Sequence, residues 1–242
     1  MRGNMIARRI TPLIIGLLVF QSGSASVAGT ALTPHTAEYK VKISVLGGTL
    51  LTHLERTADG YRADSSIEAT GLSRILAHGA IRENSEFIET ENGVRPLRFQ
   101  SADTLSKGGE TVDFTFDWQD REIVGTIDGA DFHTDIEGMV HDRVSLQYGL
   151  MHDLNNGIQR STYSLQDAEK LKPLQITNIG SKKVKVPFGT FEAIGIQHQT
   201  EGSSRVTTLW CVEELGFLPV IIEQHRNGKL QVRAVLTAYT PS

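Results

Sequence analysis

TTLWCVEELGFLPVIIEQ, Thr207 to Gln224, decides how this chain reads. It holds the only cysteine, Cys211, beside Trp210 and two residues before the pair Glu213-Glu214. Either these groups converge on a reactive centre, or two strands of a sheet are joined here. Alternation favours the join. Val206, Thr208, Trp210 and Val212 share one face of an extended segment; Arg205, Thr207, Leu209 and Cys211 share the other. That period of two is the mark of a strand. Glu213-Glu214-Leu215-Gly216 then reads as a turn, with Gly216 free to take positive φ. Pro219 opens the next strand, where a missing N–H is tolerated. The acids therefore sit in a turn while Cys211 projects from a strand. No histidine lies within ten residues of Cys211, so nothing local would form the thiolate that a nucleophile needs. A free buried thiol acts as a small hydrophobe, and that is the reading adopted for Cys211.

The same period runs outward through most of the chain. Tyr39, Val41, Ile43 and Val45 alternate with Lys40, Lys42 and Ser44. After Gly47-Gly48 and TLLTHLER, Tyr61, Ala63, Ser65, Ile67 and Ala69 alternate with Arg62, Asp64, Ser66 and Glu68. In ETVDFTFDW, Val112, Phe114, Phe116 and Trp118 point one way and Asp113, Thr115 and Asp117 the other. Arg226-Asn227-Gly228 turns a last hairpin. The pattern breaks twice. GLSRILAHG is a short helical turn with Leu72, Ile75 and Leu76 on one side. DRVSLQYGLMHDL places Val144, Tyr148, Met151 and Leu154 at helical spacing behind Asp142, a good N-cap. The expected fold is mainly β, with 12 to 14 strands by the alternation. It is a strongly curved antiparallel sheet, half-barrel or barrel, with one packed α-helix near 142–154.

The first residues have another character. Arg2, Arg8 and Arg9 precede the apolar run Ile10 to Phe20, and Ser26-Val27-Ala28 is a small-x-small cleavage site. That is the pattern of a secretory signal peptide, residues 1–28. The run is too short for a bilayer core, which takes about 20 residues. Residues 29–242 are then a single all-β domain. Cleavage lowers the 24 basic residues to 21 against 28 acidic ones. A mildly acidic chain without a basic tract makes a poor partner for nucleic acid or an anionic membrane surface. One cysteine allows no internal disulfide, so the core alone carries stability.

Two resemblances extend this reading. The opening stretch, the PFGTFEAIGI turn (Pro187 to Ile196), the HDRVSLQYGLMHDL helix (His141 to Leu154) and the early segments YKVKISVLGGTL and GYRADSSIEATGLSRIL together resemble the bacterial family catalogued as domain of unknown function 3108. The likeness spans Ala37 to Tyr239. It implies a periplasmic, envelope-located protein with a large antiparallel sheet, and it implies no activity. Leu209-Trp210 followed by Leu218-Pro219-Val220 is also similar to the half-barrel lipoprotein carriers of the bacterial periplasm. That similarity implies acyl chains held in a concave sheet.

No chemical motif stands out. There is no G-x-S-x-G, P-loop or G-x-G-x-x-G. The eight histidines form no zinc-like spacing, and His141-Asp142 and His152-Asp153 would stand about three helical turns apart. Asp113 and Asp117, about 13 Å apart along a strand, are too far for a glycosidase pair. No catalytic residue, metal or cofactor is assigned. The apolar candidates for ligand contact are Leu72, Ile75, Leu76, Phe114, Phe116, Trp118 and Trp210, each of which also serves as ordinary core or cover. Three functions are in play: a carrier of an apolar or amphipathic, lipid-like envelope ligand, a structural module with an envelope protein partner, and a hydrolase with an unrecognised site. The first expects a hollow core, the second a filled one, and the third converging acids or a histidine.

Overall fold

A computed structural model describes residues 31–44, 46–106 and 108–242, the side chain of Leu76 excepted. The signal peptide read in residues 1–28 lies outside the described residues. In chain order the elements are β1 (His35–Ile43), β2 (Leu46–Arg56), β3 (Tyr61–Ala69), α1 (Ser73–Leu76), β4 (Ala80–Thr90), β5 (Gly93–Asp103), β6 (Glu110–Asp117), β7 (Glu122–Ile127), β8 (Ala130–Asp135) and β9 (Val140–His141). Then follow α2 (Ser145–Asn155), β10 (Thr162–Asp167), β11 (Lys170–Val186), β12 (Gly189–Thr200), β13 (Arg205–Val212), β14 (Leu218–Arg226) and β15 (Lys229–Pro241).

All fifteen strands form one sheet, ordered β8 to β1 and then β15 to β9. Every described pair is antiparallel except the short β9 against β10. The mainly β, strongly curved antiparallel sheet is as the alternation predicts. The sheet does not close by a ladder. Its two ends approach each other, with Gln166 of β10 donating to the Thr134 hydroxyl of β8 at 3.4 Å. The count exceeds the expected strands, and β8 is one reason: ADFHTD carries only Phe132 as a large apolar side chain and gives little periodic signal.

The opening stretch is indeed the join of β13 and β14. Leu209 and Cys211 enter one buried cluster, while Trp210 and Val212 enter the other. Glu213–Leu215 forms a 3-10 turn, and Gly216 takes φ of 63°. Phe217 follows at φ of 59°, a rare conformation for a bulky residue, held by its buried ring and by its N–H on Val212 O at 2.8 Å. Burial pushes the Cys211 thiol up to about 12, so it stays protonated.

Helix α2 begins at Ser145, two residues after the position expected behind Asp142, and is enclosed by the sheet. Val144, Tyr148 and Met151 face the cluster of Phe87, Val94 and Phe99, as expected. Leu154 does not join them. It packs with Leu146 and Leu150 against Tyr163, Leu174, Ile196 and Leu209. A helix with apolar contacts on both sides has no single stripe, because both of its long faces are core. Both ends are tied down. Asp142 is fully buried, and its carboxylate accepts the Val144 and Ser145 N–H groups at 2.8 Å. It also accepts the Ser145 and Ser85 hydroxyls at 2.7 Å. At the other end Asn155 Nδ2 donates to Gly216 O, in the β13–β14 join, at 3.1 Å.

Gly149 sits where the helix meets the His141 ring. A methyl group there would stand 2.7 Å from His141 Cε1. Gly149→Ala should therefore destabilise the domain by about 1–3 kcal/mol through overpacking, although the same change in a free helix gains about 1 kcal/mol. Urea unfolding checks this, and in a His141→Ala background the sign should reverse.

Candidate functional site

Where the sheet curves past the start of α2, the concave face opens into a cavity of about 760 Å³. Its apolar floor is Leu146 of α2, Leu165 of β10 and Leu174 of β11. Its wall is a cross-strand row: His198 opposite Thr207, and Thr207 opposite Gln224. Strand alternation sets this row beside the core row Ile196, Leu209 and Ile222, one step nearer the strand ends. Burial pushes His198 down to about 4, so the imidazole is neutral near pH 7.

The rim is basic. Arg143, Lys172, Arg205 and Arg226 border the cavity, with Asp167 and Glu201 as the acids. Two of these cations are already neutralised. Arg143 lies 2.8 Å from Glu83, 3.6 Å from Asp167 and 3.9 Å from Glu110, and it donates to Ser101 Oγ at 3.1 Å. Burial pushes the Glu83 carboxyl up against the pull of Arg143. Lys172 pairs with Asp167. Arg205 and Arg226 remain exposed at the rim, without an acidic partner among the described residues.

Three other hollows differ in character. A trough of about 610 Å³, lined by many polar residues, crosses the face of β2–β7. Its charged groups are largely satisfied by one another: Arg98 and Gln100 hold Asp113, Asn84 holds Asp64, and Arg82 holds Glu68. A cavity of about 310 Å³ lies at the far end of α2, between Leu150, Ile158 and Ile176. Beside it Asp153 accepts from Tyr163 at 2.5 Å, from Arg160 at 2.7 Å and from the neighbouring His152 at 3.2 Å. Burial alone would raise the Asp153 carboxyl, but these bonds outweigh it and hold it below the usual range. An apolar hollow of about 210 Å³ beside α1 is lined by Val41, Ile67, Ala77, Ile81 and Leu105. Among the described residues no three His, Cys, Asp or Glu side chains gather as a metal site, and no helix is long and apolar enough to cross a membrane.

Of the residues singled out from sequence, Phe114, Phe116 and Trp118 come together in the core, and the other described side chains do not join them in one site. Leu72 and Ile75 project outward from α1, 83% and 70% exposed. Leu76 has its side chain outside the described residues. Phe114 and Phe116 are buried in edge contact at 5.4 Å, and Phe116 stacks on Trp118 at 6.1 Å. Trp118 Nε1 donates to Pro96 O at 2.6 Å. Trp210 is buried elsewhere, with Lys182 Nζ 3.6 Å above its ring. Leu76 aside, none of them lines the hollows described above. His198, Thr207, Gln224, Arg205 and Arg226 are not singled out as site residues by sequence reasoning, since each is an ordinary polar position in a strand or turn.

A lowered histidine pKa links stability to pH. With His198 lowered from 6.5 to about 4, the unfolded chain takes up a proton that the folded chain refuses. The stabilisation is complete above pH 6.5 and is lost as the pH falls toward 4. Between pH 6.5 and 5 it should shrink by about 1–2 kcal/mol. Urea unfolding at these pH values should show that much less acid sensitivity in His198→Gln than in the unmodified protein.

Comparison with known proteins agrees with this architecture. A crystal structure of a β-barrel-like protein of the domain of unknown function DUF1849, from Brucella abortus, is similar at a TM-score of 0.59 and 12% identity, over 88% of this chain and 99% of that one. At that identity the likeness is one of fold. No curated protein matches the sequence. A family model described as "Protein of unknown function (DUF3108)" matches residues 36–234, nearly the whole curved sheet. The chain belongs to the DUF3108 family.

Proposed function

We propose that this protein is an exported, periplasmic domain that binds or carries an amphipathic ligand of the cell envelope in the concave cavity. The observation that carries the reading is the layering of that cavity. Leu146, Leu165 and Leu174 form an apolar floor, the His198–Thr207–Gln224 row a neutral polar wall, and the rim is cationic. Binding pockets are typically apolar concavities of about 300–1,000 Å³ with a few placed polar groups. The leader-like residues 1–28 support export. Phe114, Phe116 and Trp210, which are buried, and Trp118, which is partly buried, are read as core of the carrier. Leu72, Ile75 and Leu76 are kept in the proposal as a second apolar contact, beside the hollow at Ala77.

The structural-module reading has one observation of its own, the unpaired outer edges of β8 and β9. Asp131 and Asp135 place charge along β8, which is how natural edges discourage strand addition. The carrier reading is therefore preferred.

Residues 29–242, recovered from a periplasmic fraction, should retain a lipid-mass adduct in native mass spectrometry or bind a fluorescent acyl probe with micromolar affinity. Leu174→Asp should weaken probe binding at least tenfold with the far-ultraviolet circular dichroism unchanged. Absence of the protein from that fraction would overturn the export reading. Failure to retain or bind any apolar compound would overturn the carrier reading.

A further inference from the structure

The rim of the cavity holds a feature that the apolar floor does not explain. Arg205 and Arg226 are direct cross-strand partners, and Arg226 is in turn paired with Lys229 of β15. Like charges placed directly opposite on a sheet repel and destabilise it. Elsewhere in the described chain the arginines are engaged. Arg62, Arg82, Arg98, Arg143, Arg160 and Arg233 pair with carboxylates. Arg74 and Arg121 donate to backbone carbonyls, and Arg56 and Arg95 lie against aromatic rings. Arg205 and Arg226 are the two whose side chains engage nothing, and they lie side by side at the mouth of the largest hollow described.

We infer that Arg205 and Arg226 form the headgroup site for a lipid bearing a terminal phosphate, with its acyl chain lying on Leu146, Leu165 and Leu174. The inference rests on the carrier reading and names its ligand class. Three points of chemistry favour phosphate. Guanidinium groups present paired N–H donors that match phosphate oxygens, and such charge-assisted bonds are the strong ones. Two neighbouring guanidinium charges match a phosphomonoester, which carries about −1.5 to −2 near pH 7. Of the two acids at the rim, Asp167 is held by Lys172 and Arg143, which leaves Glu201 as the one carboxylate set against two free guanidinium groups, and His198 beside the site is neutral. Binding would replace a repulsive pair by two attractive contacts. The headgroup stays at the wet rim, where exposed arginines need no desolvation, while the chain enters the apolar part.

The test is a titration of residues 29–242 with single-chain lipids of one acyl length in 150 mM salt: a glycerol-3-phosphate ester, the free fatty acid and a phosphocholine ester. The phosphate ester should bind at least tenfold more tightly than the phosphocholine ester. Arg205→Gln and Arg226→Gln should each lose about five- to tenfold for the phosphate ester. The double variant should lose the preference altogether. Melting temperatures of the variants at or above that of the unmodified protein would show that the losses do not come from unfolding. Equal affinity for all three lipids, or unchanged binding by the double variant, would overturn the headgroup assignment and leave the carrier reading standing. Fatty acid binding as tightly as the phosphate ester would overturn the choice of phosphate. Binding of inorganic phosphate at millimolar concentration, with no acyl compound binding, would mark a free-anion site and overturn both readings.

Discussion

Asp142 is a carboxylate with no access to water, and its four hydrogen-bond donors are all neutral. Burial pushes its acid up, and the bonds from Ser145, Ser85 and Val144 pull it back. A buried polar group without such partners costs several kcal/mol. The first turn of α2 and the Ser85 position of β4 are therefore fixed as one unit: separating them would leave the carboxylate bare. Everything at the centre of the curved sheet follows from that attachment. It places Tyr148 against Phe87 at a ring distance of 5.3 Å. It also turns the next residue, Arg143, toward Glu83 and Glu110 on one side and Asp167 on the other.

Arg143 then acts as a clasp between distant parts of the sheet. Its carboxylate partners come from β4, β6 and β10, with its guanidinium also 5.4 Å from the Phe99 ring. Strands that no ladder connects are held together by one side chain. The clasp has an electrostatic effect as well. It uses the positive charge nearest the cavity floor, so the free charge of the site lies further out, on the strand ends. A chain that is acidic overall thus presents a locally basic mouth, which net charge alone does not reveal.

Much of the fold was legible because strands with one buried face alternate strictly. Tyr39, Val41, Val112, Phe114 and Phe116 all lie inside, as their spacing predicts. The join at Glu213–Gly216 was legible from turn chemistry, and the helix from Asp142 and the residues that follow it. What stayed hidden depends on register. Counting outward from Val212 and Leu218 without interruption would set Arg205 opposite His225. The register shifts between Trp210 and Cys211, where Cys211 faces Pro219 and Trp210 faces Ile221, so that Arg205 meets Arg226 instead. One extra residue in β14 creates the paired arginines, and no periodic pattern announces it. Leu154 was misjudged for a related reason: a stripe is defined only when a helix has one dry side, and α2 has two.

The order of the strands also fixes an order of events. Each antiparallel neighbour of a strand is the next or the previous one in sequence, except at a single seam, where β1 lies beside β15 and His35 faces Pro241. The two arms of the sheet can zip up from local hairpins as the chain emerges, at little entropic cost per turn. The seam cannot, since it closes a loop as long as the domain itself, and such pairings are the slow ones. Only the thirteen residues of β15 supply it. The sheet is therefore unfinished until β15 arrives, and a chain lacking that strand would remain two unjoined meanders.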